Sequence, residues 1–367
     1  MVEFTRFVGL DVHQDTIAIA VAGADRSEPR VLATIPHDVP QLLRRLARLG
    51  PPQQLLVAYE AGPTGYGLCR RLTAAGITCQ VIAPSKTPRA TGDKVKTDRR
   101  DALSLARFLR SGDLTPIHVP DESIEALRDL VRARDDAKRA EKTAKHHLGK
   151  FLLRHDRRYA RKTAWSDLHL KWIATLRFEQ PAQQRVLEDY LHAVLEASAR
   201  VERLTHQIEE LIPTTSVYPL AKALQALRGF RLVSAATVAC ELGDLRRFAH
   251  PRQLMSFLGL VPSESSSGHS TRRGRITKTG NSHVRRVLVE AAWCYRFAPR
   301  SNHEIGQRMA AVSGAVRTIA WKAQHRLHRR YWRLTALRKS PNRMIVAVAR
   351  ELVGFVWAIG QQPQLLA

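Results

Sequence analysis

The chain has 367 residues, 59 Lys and Arg against 33 Asp and Glu, a formal net charge of +26 and a sequence pI near 10.9. That length sets two or three domains as the expectation, and 44% hydrophobic residues suffice for their cores. No run of about 18 apolar residues exists and MVEFTRF lacks a signal-peptide pattern, so no transmembrane helix is expected and a cytoplasmic location is. A surface this basic draws polyanions, with nucleic acid first among them. Cys69, Cys79, Cys240 and Cys294 are scattered without metal-ligand spacing, which argues against a zinc site or a disulfide framework.

Phe7 to Val21 reads as a strand, a polar turn at His13-Gln14-Asp15 and a return strand. Asp11 sits inside its apolar run, and a carboxylate there is costly to desolvate. It marks either a cation site or a turn cap. Leu42, Leu43, Leu46 and Leu49 follow at helical spacing. QLLVAY, residues 54–59, is a short buried strand that runs into Glu60. A turn, a helix from about Tyr66 to Ala75, and the strand TCQVIA come next. A helix from about Asp98 to Ser111 carries Ala102, Leu105, Ala106 and Leu109 on one face. This order predicts a mixed α/β domain over 1–120 with helices on a central sheet.

Residues 121–212 carry no strand signal and read as long helices. Arg128 to Lys162 holds 13 Lys/Arg against 5 Asp/Glu. Tyr190, Val194, Ala197, Val201, Leu204, Ile208 and Leu211 alternate steps of four and three, which predicts an antiparallel coiled coil. Residues 213–367 form a further unit. Leu224 to Leu242 has the helix, glycine turn, helix pattern of a helix-hairpin-helix, whose turn amides bind phosphate. Gly259 to Asn281 has no apolar period and reads as a basic loop of about 20 residues, a length that is often functional.

Two constellations carry chemistry. Asp11 and Glu60 end apolar strands, and Asp98 and Asp101 stand three apart at a helix start. Converging carboxylates repel unless a cation neutralises them, and Mg²⁺ suits oxygen ligands. Lys96, Arg99 and Arg100 would lie near as phosphate contacts. The plainer alternative makes Asp98 a helix cap and Asp101 a surface charge. In the second constellation Ser265-Ser266-Ser267-Gly268 precedes Arg272, Arg273, Arg275 and Lys278, with Arg285 and Arg286 beyond. A hydroxyl among cations suits attack on a phosphodiester, and a loop that only binds phosphate fits the same composition.

Taken together, GLDVHQDTIAIAV, YEAGPTGYG, KTDRRDALSLARFL and FLGLVPSESSSGHSTRRGRITKTGNSHVRRVLVEAAW resemble the IS110 family of transposases, the DEDD recombinases, over nearly the whole chain. The resemblance implies three parts: a RuvC-like RNase H fold, a coiled-coil middle and a mainly helical C-terminal transposase domain. It implies Mg²⁺, with Mn²⁺ as a substitute, on Asp11, Glu60, Asp98 and Asp101. It also implies a serine nucleophile, placed at Ser267 with Ser266 as the alternative. The implied partners are donor and target DNA, an element-encoded structured RNA that pairs with both, and further copies of the chain in a dimer or tetramer. A RuvC-like nuclease using water as nucleophile is the other reading of the first domain. The family's Pro-Gly-Ile-Gly turn is here Arg228-Gly229-Phe230-Arg231, which puts phosphate binding by that turn in doubt.

Overall fold

The computed structural model describes residues 3–88, 97–161, 163–267 and 270–363. The chain divides into two compact units, the first ending at Val119 and the second starting at Pro120. Among the described residues, no helix is long and apolar enough to cross a membrane.

The first unit is a five-stranded sheet in the order β3-β2-β1-β4-β5. Its strands are β1 (Arg6–Val12), β2 (Thr16–Gly23), β3 (Arg30–Pro36), β4 (Leu55–Glu60) and β5 (Thr78–Ile82). β2 lies antiparallel to both β1 and β3, whereas β1, β4 and β5 run parallel. β3 is absent from the sequence reading, and the rest of the order matches it.

The two faces of the sheet differ in residue size. Val8, Leu10, Ile17, Ile19, Val57 and Tyr59 meet α1 (Val39–Ala47) and α2 (Gly67–Ala74) through Leu42, Leu46, Leu68 and Leu72. The opposite face is lined by Ala18, Ala20 and Ala22 under Ala102 and Ala106 of α3 (Asp98–Ser111). Gly9 lies in the same row. A Cβ there would stand 2.5 Å from the Ala106 nitrogen and 2.8 Å from the Leu105 Cβ, and would collide with the Ala102 carbonyl. A glycine inside a strand marks such a close backbone approach. Thr97 caps α3 by accepting the Arg100 N–H, and Gly112 ends it in the left-handed conformation.

In the second unit α4 (Glu122–Arg154) pairs with α6 (Pro181–Leu211). Arg134 donates to Thr205, and Ser198 donates to Glu141, so the two helices run antiparallel. Leu187, Val194, Val201 and Ile208 form the buried line of α6, one every seven residues. Leu211, read as the last heptad position, is instead exposed, and Leu187 extends the line at the other end. At one end of the pair Ile124, Leu127, Val131, Ile208 and Ile212 join the large C-terminal core. That core is built on α7 (Tyr218–Leu224), α8 (Leu232–Leu242), α9 (Pro251–Phe257), α10 (Ser282–Ala292), α12 (Gly314–Ala336) and α13 (Pro341–Gly360), with α11 (His303–Ala310) on α12. At the other end α5 (Asp167–Thr175) closes a separate cluster with Leu148, Phe151 and Leu152. Thus residues 121–212 and 213–367 share one compact unit.

The basic segment after Gly259 is not a loop. It forms an antiparallel hairpin of β6 (Pro262–Ser267) and β7 (Ser270–Ile276), exposed almost throughout. With neither face buried, it has no apolar alternation for a sequence pattern to show.

Candidate active site

β1 and β4 run parallel, and Leu10 opposite Tyr59 is their last pair. The next residues, Asp11 and Glu60, therefore stand at the same end of neighbouring strands. Strand alternation puts Asp11 in the Gly9 row, beneath α3. Because the small residues let α3 lie close, its first turn brings Asp98 to Asp11. His13 joins them: its Nε2 is 3.3 Å from Asp11 Oδ2 and 3.5 Å from Asp98 Oδ1. One ligand atom from each of Asp11, His13 and Asp98 lies within 4.8 Å of the others.

The Asp11 side chain is 19% exposed. Burial raises its carboxyl above the ordinary range, His13 opposes this, and the negative charges of Asp101 and Asp98 add to the rise. Two further acids are thus felt at one carboxylate, which is the electrostatic condition a divalent cation relieves. Glu60 Oε1 accepts from the Thr87 hydroxyl at 2.7 Å, which fixes its direction. Arg99 and Arg100 are exposed on the first turn of α3. Lys96 lies outside the described residues.

From sequence alone, His13 reads only as a turn residue and Gly9 only as part of an apolar run. The signal for both was the period-two spacing of Gly9, Asp11 and His13, which puts all three on one face.

Ser267 belongs to the second unit, at the end of β6, paired with Ser270 across the hairpin turn. Gly268 and His269 lie outside the described residues. Ser266 donates to Glu264 Oε1 at 2.9 Å, and Arg273 Nε is 3.3 Å from Glu264 Oε2. Arg272, Arg273 and Arg275 are exposed on β7. The Glu264–Ser266 contact follows from two-residue spacing on a strand, which the expectation of a loop conceals.

The neck of the hairpin is pinned by two glycines. Gly259, at φ +61°, would with a Cβ stand 2.5 Å from the Thr279 nitrogen; Gly280, at φ +69°, would strike the Phe257 carbonyl. Arg285 ties the neck from α10 by donating to Leu258 O and Thr279 O, both at 2.9 Å. Arg286 pairs with Asp135 and Glu290. Lys278 sits in the neck with φ +56°.

In the turn between α7 and α8, Gly229 packs on the Ala291 backbone at φ +89°. The Phe230 N–H bonds Leu227 O, and the Arg231 N–H bonds the Ser234 hydroxyl. Arg228 is buried and donates to Phe297 O and Ala298 O. Two turn amides are therefore engaged within the protein.

The family model described as "Transposase IS116/IS110/IS902 family" matches residues 221–305, and an IS110-type DEDD model described as "Transposase" matches residues 8–155. The y4qE protein of Sinorhizobium fredii, which carries a transposase name, is 45% identical over 97% of this chain and 88% of its own length. The transposase for insertion sequence element IS1533 of Leptospira borgpetersenii is 31% identical over 91% of this chain and 97% of its own. The transposase for IS1328 of Yersinia enterocolitica is 25% identical over 80% of this chain and 87% of its own.

Proposed function

The chain belongs to the IS116/IS110/IS902 family of transposases, and from that premise we propose that it cuts and rejoins DNA with a divalent cation on Asp11, Glu60, Asp98 and Asp101 and a serine nucleophile on the β6–β7 hairpin. The single observation that carries the cation reading is the meeting of Asp11, His13 and Asp98 atoms within 4.8 Å. The donor set is mostly carboxylate oxygen, which suits Mg²⁺ or Mn²⁺. The strand order, with an antiparallel β1–β2–β3 edge and parallel β4 and β5, supports a RuvC-like RNase H fold for the first unit. The seven-residue burial of α6 supports a coiled-coil pairing with α4.

The cation, when bound, neutralises the scissile phosphate and the oxygens that gain charge. The protein does the remaining work. α3 fixes Asp98 and Asp101 over the strand ends, and His13 holds the Asp11 carboxylate. On the hairpin, the Ser267 hydroxyl attacks phosphorus: an Oγ–P bond forms, the bond from phosphorus to a sugar oxygen breaks, and the serine proton passes by a neighbouring acceptor to that leaving oxygen. Joining reverses the exchange with a new DNA hydroxyl, so no water is consumed. Ser266 is the alternative nucleophile, with Glu264 as its acceptor. Arg99, Arg100, Arg272, Arg273, Arg275 and Lys278 contact backbone phosphates. An element-encoded RNA supplies sequence choice, and a dimer or tetramer brings the two half-sites together.

The test is to denature a cleavage reaction, digest the protein and map the nucleotide-bearing peptide by mass spectrometry. A nucleotide on Ser267, lost in Ser267→Ala, supports the assignment, and one on Ser266 moves the nucleophile by a residue. Free DNA ends without any adduct, still dependent on Asp11, would instead establish water as the nucleophile.

A further inference from the structure

We propose that the outer end of the α4–α6 pair, closed by α5, is a binding surface for an unpaired nucleic-acid strand. The inference is independent of the metal and serine assignments. Residues 145–178 carry nine Lys and Arg against two Asp. Leu148 lies about 25 Å along the helix axis from Val131, which belongs to the C-terminal core. The charge is therefore concentrated at a projecting end.

That end also carries a ring array. Tyr159 lies 4.6 Å from His169 and 5.2 Å from Trp172 between centroids, and His169 stacks on Trp172 at 5.6 Å and 13°. Trp165 meets His169 edge-on at 5.3 Å. His169 is buried, whereas Tyr159, Trp165 and Trp172 are half-buried. The array is held in place from its backbone. Trp165 adopts φ +63°, which is rare for a bulky residue, and its N–H donates to His169 Nδ1 at 2.8 Å.

The cations around these rings are only partly neutralised. Lys145 lies over Trp165 and pairs with Glu141, Arg158 pairs with Asp156, and Arg157 lies over Phe178. Lys150, Arg161 and Lys171 are exposed and make no ion pair among the described residues. Folding alone gives no reason to gather them, because like charges repel the compact state. A phosphate backbone beside the rings accounts for both features, since its charges neutralise the cations while unstacked bases lie on the aromatic surfaces. A duplex satisfies only the first, because its bases are stacked on one another.

Full-length protein is titrated into labelled 20-nucleotide DNA, the same sequence as RNA, and the duplex, at several salt concentrations. A Lys150→Glu/Arg161→Glu/Lys171→Glu variant should weaken single-strand binding at least tenfold and reduce the salt slope by about two units. Trp172→Ala should weaken it by about tenfold, with a much smaller effect on the duplex. Tryptophan emission of the unaltered protein should be quenched by single strands, which keeps the stacking claim testable if Trp172→Ala melts early. Tighter RNA than DNA binding assigns the strand as RNA, and equal binding leaves the surface open to either. Unchanged single-strand affinity in the triple variant overturns the proposal. So does a loss for duplex equal to that for single strands in Trp172→Ala.

Discussion

Gly9→Ala puts the thin interface between α3 and the sheet to its most exacting test. The added Cβ would sit 2.5 Å from the Ala106 nitrogen and 2.8 Å from the Leu105 Cβ, on a strand covered by backbone rather than by yielding side chains. Comfortable contact begins near 3.5 Å, so α3 must retreat by about 1 Å. Overpacking of this kind costs about 1–3 kcal/mol. The unit still folds, because Leu42, Leu46 and Leu72 on the other face are untouched. Asp98 and Asp101, on the first turn of the same helix, move with it. A displacement of about 1 Å in a catalytic constellation lowers rates by about 100-fold. The assay pairs a thermal melt with single-turnover strand cleavage, and expects a modest fall in melting temperature beside a fall in rate of about two orders of magnitude. A Gly9→Ala protein that cleaves at the original rate would refute the placement of the acids by that close approach.

Other perturbations follow from the same physics. Asp11→Asn removes a carboxyl whose pKa burial raises and whose neighbours Asp101 and Asp98 repel it. The raised value means the folded state loses stability as pH climbs through the window just above the ordinary carboxylate range. Without added metal the variant should therefore melt about 2 °C higher at neutral pH while cleavage is abolished; a lower melting point contradicts this. Burial pushes the Glu141 carboxyl up, but Lys138 and Lys145, each 2.6 Å away, outweigh it and hold it down to about 2. Its contribution is present above the ordinary pKa and fades as pH falls towards 2. Glu141→Gln should cost about 1–2 kcal/mol at pH 7 and flatten acid unfolding below pH 4.5, as read by circular dichroism. Gly280→Ala places a Cβ against the Phe257 carbonyl at φ +69°. It should abolish rejoining while metal binding stays intact, and an active Gly280→Ala enzyme would remove the pinned neck from the account.

The parts of the fold legible in the sequence are those whose apolar residues are buried, on one face or on both. β1, β2, β4 and β5 and helices α1 to α3 announce themselves because their apolar residues fall on a core. β3 does not, since it is an edge strand with Ile35 as its one buried residue. The β6–β7 hairpin was invisible for a stronger reason: it buries neither face, and glycines at its neck fix its course. The heptad of α6 matches the helix pairing but overruns by one position, because Leu211 is exposed while its neighbour Ile212 takes the buried place. At the site, residue type pointed to Asp11 and Asp98. The period-two spacing of Gly9, Asp11 and His13 hints at a shared face, but that His13 meets Asp98 and that Gly9 makes room for α3 is seen only with α3 lying on the strand.

The most direct measurement is a titration of Mn²⁺ into the full-length protein, followed by electron paramagnetic resonance, with Asp98→Asn alongside. The account predicts saturable binding by the unaltered chain, competed by Mg²⁺, and its loss in Asp98→Asn while the melting profile persists. Equal Mn²⁺ binding by both proteins would contradict a cation held where α3 meets β1.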